Sequence, residues 1–298
     1  MGQPIKLKAH KNNFTEEISK LINLCHEDLE LTNSLILEKL DSKVPLIHEI
    51  ASYLILSGGK RLRPLLTSCC YHLIDVKNKN NKNYIGLAAA VEFIHAATLL
   101  HDDVVDESKQ RRGSLSVNEV WGNKTSVLVG DFLFSRAFQL MAKYGNLEVL
   151  KVLSNTSVTI SEGEMLELSN DRDPRINEDI YFQVINGKTA SLFSAACKVG
   201  GISAEGNEKE IECMKSFGTN FGMSFQLIDD AIDYSSTNES LGKNIGDDFK
   251  EGKITLPIIL AYIRSSDQEK KFWDKTIINL KQNKGDLDLA INIMKKYN

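Results

Sequence analysis

Three aspartates close an apolar run in "LLHDDVVDESKQRRG", residues 99–113, and two arginines follow at 111 and 112. The same acidic spacing returns in "DDAID", residues 229–233. In an α-helix, residues i, i+1 and i+4 lie within an arc of about 100°. Asp102, Asp103 and Asp106 therefore share one side of a helix, as do Asp229, Asp230 and Asp233. Like charges about 4 Å apart repel by about 4 kcal/mol per pair at an effective dielectric near 20, so carboxylates that converge in a cleft call for cations between them. All-oxygen donors select hard ions such as Mg2+, which binds through one or two carboxylates and completes its shell with water and substrate phosphates. A single acidic triplet is a common solvated helix end. Two in one spacing, each behind a long apolar helix, point to a metal and phosphate site.

Cations that could meet the phosphates are present too. "GGKRLRP", residues 58–64, sets Lys60, Arg61 and Arg63 behind a diglycine at a helix start, where free N–H groups also favour an anion. Arg111 and Arg112 follow the first acidic cluster, and guanidinium forks bind phosphate oxygens bidentately. Lys243 and Lys253 flank "GDDF" after the second cluster, in a stretch that a solvated loop also explains. By helical phase, Glu92 and His95 extend the first acidic stripe backward, and Gln226 lies one turn before Asp229. His101 points away from that stripe and is assigned to packing or hydrogen bonding.

The elements that must carry these groups are helical. Only five prolines occur, and the segments between them repeat apolar residues at three- and four-residue spacing. This predicts helices over about 13–38, 44–56, 62–75, 84–107, 115–120, 124–143, 147–169, 178–200, 207–234, 254–264, 268–280 and 287–296. No alternating pattern predicts a sheet. The fold class expected is all-α, one bundle of long helices around a central cavity, with residues 1–298 as a single domain. A chain of 298 residues, 42% hydrophobic and 26% charged, can bury a substantial core.

A net charge of −4 gives no basic footprint for nucleic acid. The longest apolar stretch, Tyr84–Leu100, carries Glu92 and His95 and falls short of the ~20 apolar residues of a bilayer span. The N-terminal "MGQPIKLKAHKNN" has no apolar signal core, which argues for the cytoplasm. Cys25, Cys69, Cys70, Cys197 and Cys213 show no CxxC spacing and are expected to be reduced thiols, mostly buried.

Taken together, "GGKRLRP", "EFIHAATLLHDDVVD" with "RRG" behind it, "GKTASLFSAAC", and "FQLIDDAIDY" followed by "GKNIGDDFKEGKITLP" resemble the trans-type isoprenyl diphosphate synthases of the polyprenyl synthetase family, over residues 45–265. The resemblance implies the helical isoprenoid synthase fold, usually a homodimer, that condenses isopentenyl diphosphate with an allylic diphosphate. It implies that Asp102, Asp103, Asp106, Asp229, Asp230 and Asp233 hold about three Mg2+ ions on the allylic diphosphate. Arg111, Lys188 and Lys243 would contact that group; Lys60, Arg63, His95 and Arg112 would hold isopentenyl diphosphate; Thr189 and Gln226 would lie beside the reacting carbons; and Lys253 would close over the site.

The same resemblance puts a gate on product length at Ala97 and Thr98, one turn before the first aspartate. Both are small where short-chain members tend to carry aromatic residues. That implies a long-chain all-trans product of the octaprenyl type built on farnesyl or geranylgeranyl diphosphate, suited to a quinone side chain. The apolar tunnel would end near Phe132, Phe134 or Phe138, with transient membrane contact for product release. A short-chain synthase and a noncatalytic partner subunit remain as alternatives. A terpene cyclase is disfavoured by the intact second DDxxD, and an HD phosphohydrolase leaves the cation loops unexplained. A ferritin-like di-iron protein would need a second Glu-x-x-His beside Glu92 and His95. Long-chain members usually continue for another helix or two beyond Asn298, so the family's last C-terminal helices are expected to be missing.

Overall fold

The structure is a computed structural model that describes residues 13–74, 81–235 and 246–297. The helices are α1 (Asn13–Leu24), α2 (His26–Lys39), α3 (Pro45–Leu56), α4 (Leu62–His72), α5 (Asn83–Val105), α6 (Val117–Trp121), α7 (Asn123–Tyr144) and α8 (Leu147–Ser169). They continue as α9 (Glu178–Ile185), α10 (Ser191–Ser203), α11 (Glu208–Ser235), α12 (Asp247–Glu251), α13 (Leu256–Arg264), α14 (Asp267–Trp273) and α15 (Asp286–Lys296). Two π-helical turns, Asn186–Ala190 and Asp274–Ile278, follow α9 and α14. The only sheet among the described residues is a two-residue hairpin, β1 (Gln110–Arg111) against β2 (Ser114–Leu115).

Helix α5 forms the centre of the bundle. Its run Ala88, Ala89, Ala90 and Val91 is fully buried, and small side chains there let α2, α4, α7 and α10 approach closely. Phe93, Leu100, Leu133 and Leu140 fill the space between α5 and α7. Each such side chain contributes about 1.5–3 kcal/mol when taken out of water. By length and composition α5 could cross a membrane, but 78% of its most apolar window is buried inside the protein, as expected of a core helix.

A second apolar cluster at the C-terminal end gathers Trp273, Phe249, Ile258 and Ile293 and supports α12 and α13. Helix starts follow local chemistry: Pro45 opens α3, Asn146 and Asn177 cap α8 and α9, and Ser266 with Glu269 forms a capping box on α14.

The predicted helices are present, with five local differences. The 13–38 segment breaks at Cys25; 178–200 and 268–280 each contain a π turn; α12 occupies part of an expected loop; and the hairpin at 110–115 was not expected. Four cysteines are buried, Cys213 is exposed, and all five are free thiols.

Candidate active site

One cavity of about 790 Å³ opens between α4, α5, α9, the first π turn, α11 and the segment after α12. It collects most of the residues singled out by chemistry. Lys60, Arg63, His95, Thr98, Asp102, Asp106, Arg111, Arg112, Lys188, Thr189, Gln226, Asp229, Asp230 and Lys253 all line it, and Leu62, Leu99, Val184, Ile185, Phe193 and Phe225 supply apolar wall.

Basic groups cluster around His95. The diglycine turn takes Gly58 to φ +102° and Gly59 to +141°, conformations that suit residues without a Cβ. This brings the Gly58 carbonyl to the Arg112 guanidinium, which donates to it. The Arg63 guanidinium carbon sits over the Phe193 ring, 4.1 Å from its centroid, and the Arg63 Nε has no protein partner. Burial pushes the Arg63 guanidinium down to about 10. Burial, followed by the charges of Arg63, Arg112, Arg111 and Arg61, holds His95 well below its ordinary value, so the imidazole is neutral before an anion arrives. Arg61 differs from the neighbouring cations. In a left-handed conformation (φ 48°), it donates to Glu92 at 2.6 Å, to the Ile55 carbonyl at 2.8 Å and to Asn33 at 3.3 Å, and so fastens the loop to α5.

The six aspartates divide into two kinds. Asp102, Asp106, Asp229 and Asp230 reach the cavity wall, whereas Asp103 and Asp233 are not part of it. Asp103 is fully buried and accepts from Arg111 Nε at 2.7 and 2.9 Å and from Nη2 at 2.6 Å. Asp230 has both oxygens engaged, one by Tyr181 Oη at 2.6 Å and the other by Gln226 Nε2 at 2.7 Å. Asp233 accepts from the Asp248 backbone N–H at 3.2 Å, tying α11 to α12. Burial raises Asp102 to about 6 despite nearby Lys188, and raises Asp248 to about 7 despite nearby Lys253.

Two acidic residues that the motifs did not flag stand at the same end of the cavity. Lys188 Nζ donates to Glu164 Oε2 at 2.9 Å and to Glu167 Oε2 at 2.7 Å, both from α8. Burial works against the Lys188 charge, but Glu167, Glu164 and Asp102 outweigh it and hold the ammonium above its ordinary range. The available signal was an E-x-x-E pair behind a glycine in "GEMLEL", residues 163–168. Next along the chain, Thr189 Oγ1 donates to Gln226 Oε1 at 2.9 Å, linking the π turn to α11.

Two expectations change, and a third is left as it stood. Ala97 is fully buried in the main core instead of on the cavity wall, which leaves Thr98, half-buried, as the cavity-lining member of that pair. Phe132 and Phe134 pack against the core and Phe138 is exposed, so none of them ends the cavity. Lys243 lies outside the described residues. His101 turns to α7 as its phase predicted, 3.3 Å from the Val127 carbonyl and 3.5 Å from Asp131.

Among the described residues, no three His, Cys, Asp or Glu side chains are close enough to cage a metal by themselves. An all-oxygen set spread over two helices nonetheless fits a hard divalent ion that takes one or two carboxylates and shares the substrate's phosphates.

The helical bundle thus sets acidic and basic groups on the walls of one cavity, an arrangement that suits a diphosphate together with a hard divalent ion. The family model for polyprenyl synthetase matches residues 44–294. Octaprenyl diphosphate synthase of Escherichia coli (strain K12) is 46% identical over 244 residues, covering 82% of this chain and 75% of that one. A crystal structure of a decaprenyl diphosphate synthase from Rhodobacter capsulatus superposes with a TM-score of 0.88 at 46% identity, over 94% of this chain and 85% of that one. A polyprenyl synthase from Caulobacter crescentus CB15, complexed with calcium and isoprenyl diphosphate, gives 0.89 at 44% identity, over 94% and 84%. The chain belongs to the polyprenyl synthetase family, and with it to the prenyltransferases.

Proposed function

We propose that the protein condenses isopentenyl diphosphate with an allylic diphosphate, farnesyl or geranylgeranyl, and repeats the addition to give a long-chain all-trans polyprenyl diphosphate. The observation that carries this reading is the partition of charge within one cavity: Arg63, Arg112 and Arg111 around a neutral His95, and Asp102 and Asp106 near Lys188, with Lys60 and Asp229 also on the cavity wall. The first group suits a diphosphate bound without metal. The second suits one bound with it. Similarity to octaprenyl and decaprenyl diphosphate synthases, each at 46% identity, supports the long product.

In this reading about three Mg2+ ions would be held by Asp102, Asp106 and Asp229, and would offset the charge gathering on the departing diphosphate. Asp103, Asp230 and Asp233 act through their partners: Asp103 holds Arg111, Asp230 holds Gln226 and Tyr181, and Asp233 anchors α12. Lys188 and Lys253 add fixed positive charge where the allylic C–O bond breaks. Thr189 and Gln226 face the carbons that join. Arg63, Arg112, Lys60 and His95 hold the second diphosphate so that its double bond meets the allylic cation. Leu99, Val184, Ile185 and Phe225 exclude the water that would quench that cation. The released diphosphate takes the proton that leaves the new chain.

The protein is read as a homodimer through the exposed apolar residues Leu128 and Phe138 of α7 and Val158 and Met165 of α8. It is placed in the cytoplasm, with brief membrane contact as an apolar product leaves.

Incubation with radiolabelled isopentenyl diphosphate, farnesyl diphosphate and Mg2+, followed by chain-length analysis, tests the reading. Products beyond twenty carbons are expected, and Thr98→Phe should shorten them. A wild-type product that stops at fifteen or twenty carbons overturns the long-chain assignment.

A further inference from the structure

A lysine ammonium ordinarily behaves as a swivelling point charge, with three equivalent donors on a flexible four-carbon stem. Lys188 does not have that freedom. It sits in a π-helical turn, Asn186–Ala190, that packs directly on α8. A Cβ at Gly163 would lie 2.7 Å from the Lys188 backbone nitrogen, and one at Gly187 would lie 2.9 Å from Gly163 Cα, so the two backbones touch because both residues are glycine. That contact sets Glu164 and Glu167 beside the lysine, where they take two of its three N–H donors at 2.9 and 2.7 Å. One donor remains. On the other side of the turn, Thr189 is tied through Gln226 to Asp230 and Tyr181.

We propose that Glu164 and Glu167 are positioning residues that fix the direction of the remaining Lys188 N–H toward the leaving diphosphate. The inference rests on the site assignment proposed above. The geometry favours this over a free acidic patch, because one oxygen of each carboxylate accepts from the same ammonium, the second Glu164 oxygen is buried without a protein partner, and α8 is pressed against the turn that carries the lysine. The charge balance agrees: the carboxylates outweigh the burial of Lys188 and keep it protonated. A fixed donor needs no reorientation when the C–O bond breaks, which is where a preorganised charge is most effective.

The test is a double-mutant cycle among Glu164→Gln, Glu167→Gln and Lys188→Ala. A misplacement of about 1 Å in a reacting group can cost on the order of 100-fold in rate. Each glutamine variant is therefore expected to lower kcat by roughly 10- to 100-fold, with KM for isopentenyl diphosphate and the Mg2+ requirement unchanged. In the Lys188→Ala background neither should cause a further loss. Losses that multiply with that of Lys188→Ala, or that added Mg2+ restores, overturn the inference and make the glutamates independent or metal-binding groups.

Amine-acylation footprinting read by mass spectrometry gives a second readout that needs no turnover. Lys188 should be slow to acylate in the wild type and several-fold faster when both glutamates are glutamine, whereas equal rates overturn the inference. A wild-type protein that fails to elongate its substrates would instead count against the proposed function, with the footprint still deciding on the glutamates.

Discussion

Asp103 and Asp102 are neighbours in sequence but do different work. Asp103 is buried under the fork of Arg111, and removing one member of such a pair strands the other charge at a cost of about 3–5 kcal/mol. Asp102 is raised to about 6 and Asp248 to about 7, in each case chiefly by burial. In the unfolded chain these groups titrate near 3.8, so the folded state binds their protons more tightly. Their contribution to stability is full below about pH 4 and is lost as the pH rises through about 6 to 7. The ligand-free protein should therefore show a component of its Tm that falls between pH 5 and pH 8. Mg2+ with inorganic diphosphate should raise Tm more at pH 8 than at pH 5. Differential scanning fluorimetry checks both, and Asp248→Asn should flatten the ligand-free slope; a slope unchanged by that substitution would contradict the assignment.

Of the six aspartates picked out by the DDxxD spacing, four line the cavity, and the cation loops supply most of its basic wall. Which aspartates were already occupied was not legible, because Tyr181 lies 49 residues from the Asp230 it binds. Glu164 and Glu167 were missed for a related reason. Their role depends on a lysine 21 to 24 residues away, brought near by a contact between two glycines.

At the scale of elements, the helices were legible because their apolar periodicity is strong, and α5 was recognisable as the carrier of the first acidic stripe. The π turn was not, since a single turn with i→i+5 bonding leaves no period of its own in the sequence. That turn is nevertheless the element on which Lys188 and Thr189 depend. Gly163→Ala should force α8 and the turn apart, because the new Cβ meets backbone at 2.7 Å and backbone cannot swing aside as a side chain would. Overpacking of this kind costs about 1–3 kcal/mol. The expected result is a Tm lower by several degrees and a reduced kcat, measured by thermal melts and steady-state kinetics. A variant with wild-type values in both would show that the contact tolerates separation.

For the whole molecule, the surface of α7 and α8 carries the next question. Leu128 and Phe138 on α7, and Val158, Met165 and Leu168 on α8, are each more than a third exposed and recur at helical spacing. Such faces ordinarily meet another surface. For the proposed dimer, Phe138→Glu should give a shift toward monomer in sedimentation velocity, with the helical circular dichroism signal retained. A wild-type protein that sediments as a monomer would remove the dimer from the proposed function.

The burial of Ala97 sets limits on how this enzyme can diversify. Ala97 belongs to the main core while Thr98, its neighbour, faces the substrate cavity. A bulky residue at 97 must displace packed neighbours in the main core, whereas one at 98 enters the cavity. On the proposed reading, selection for shorter products can act at position 98 with little effect on folding, while a bulky change at position 97 draws on the stability margin before it reaches the cavity. Adjacent residues thus differ in what a change costs, and only position 98 is open to a marginally stable protein.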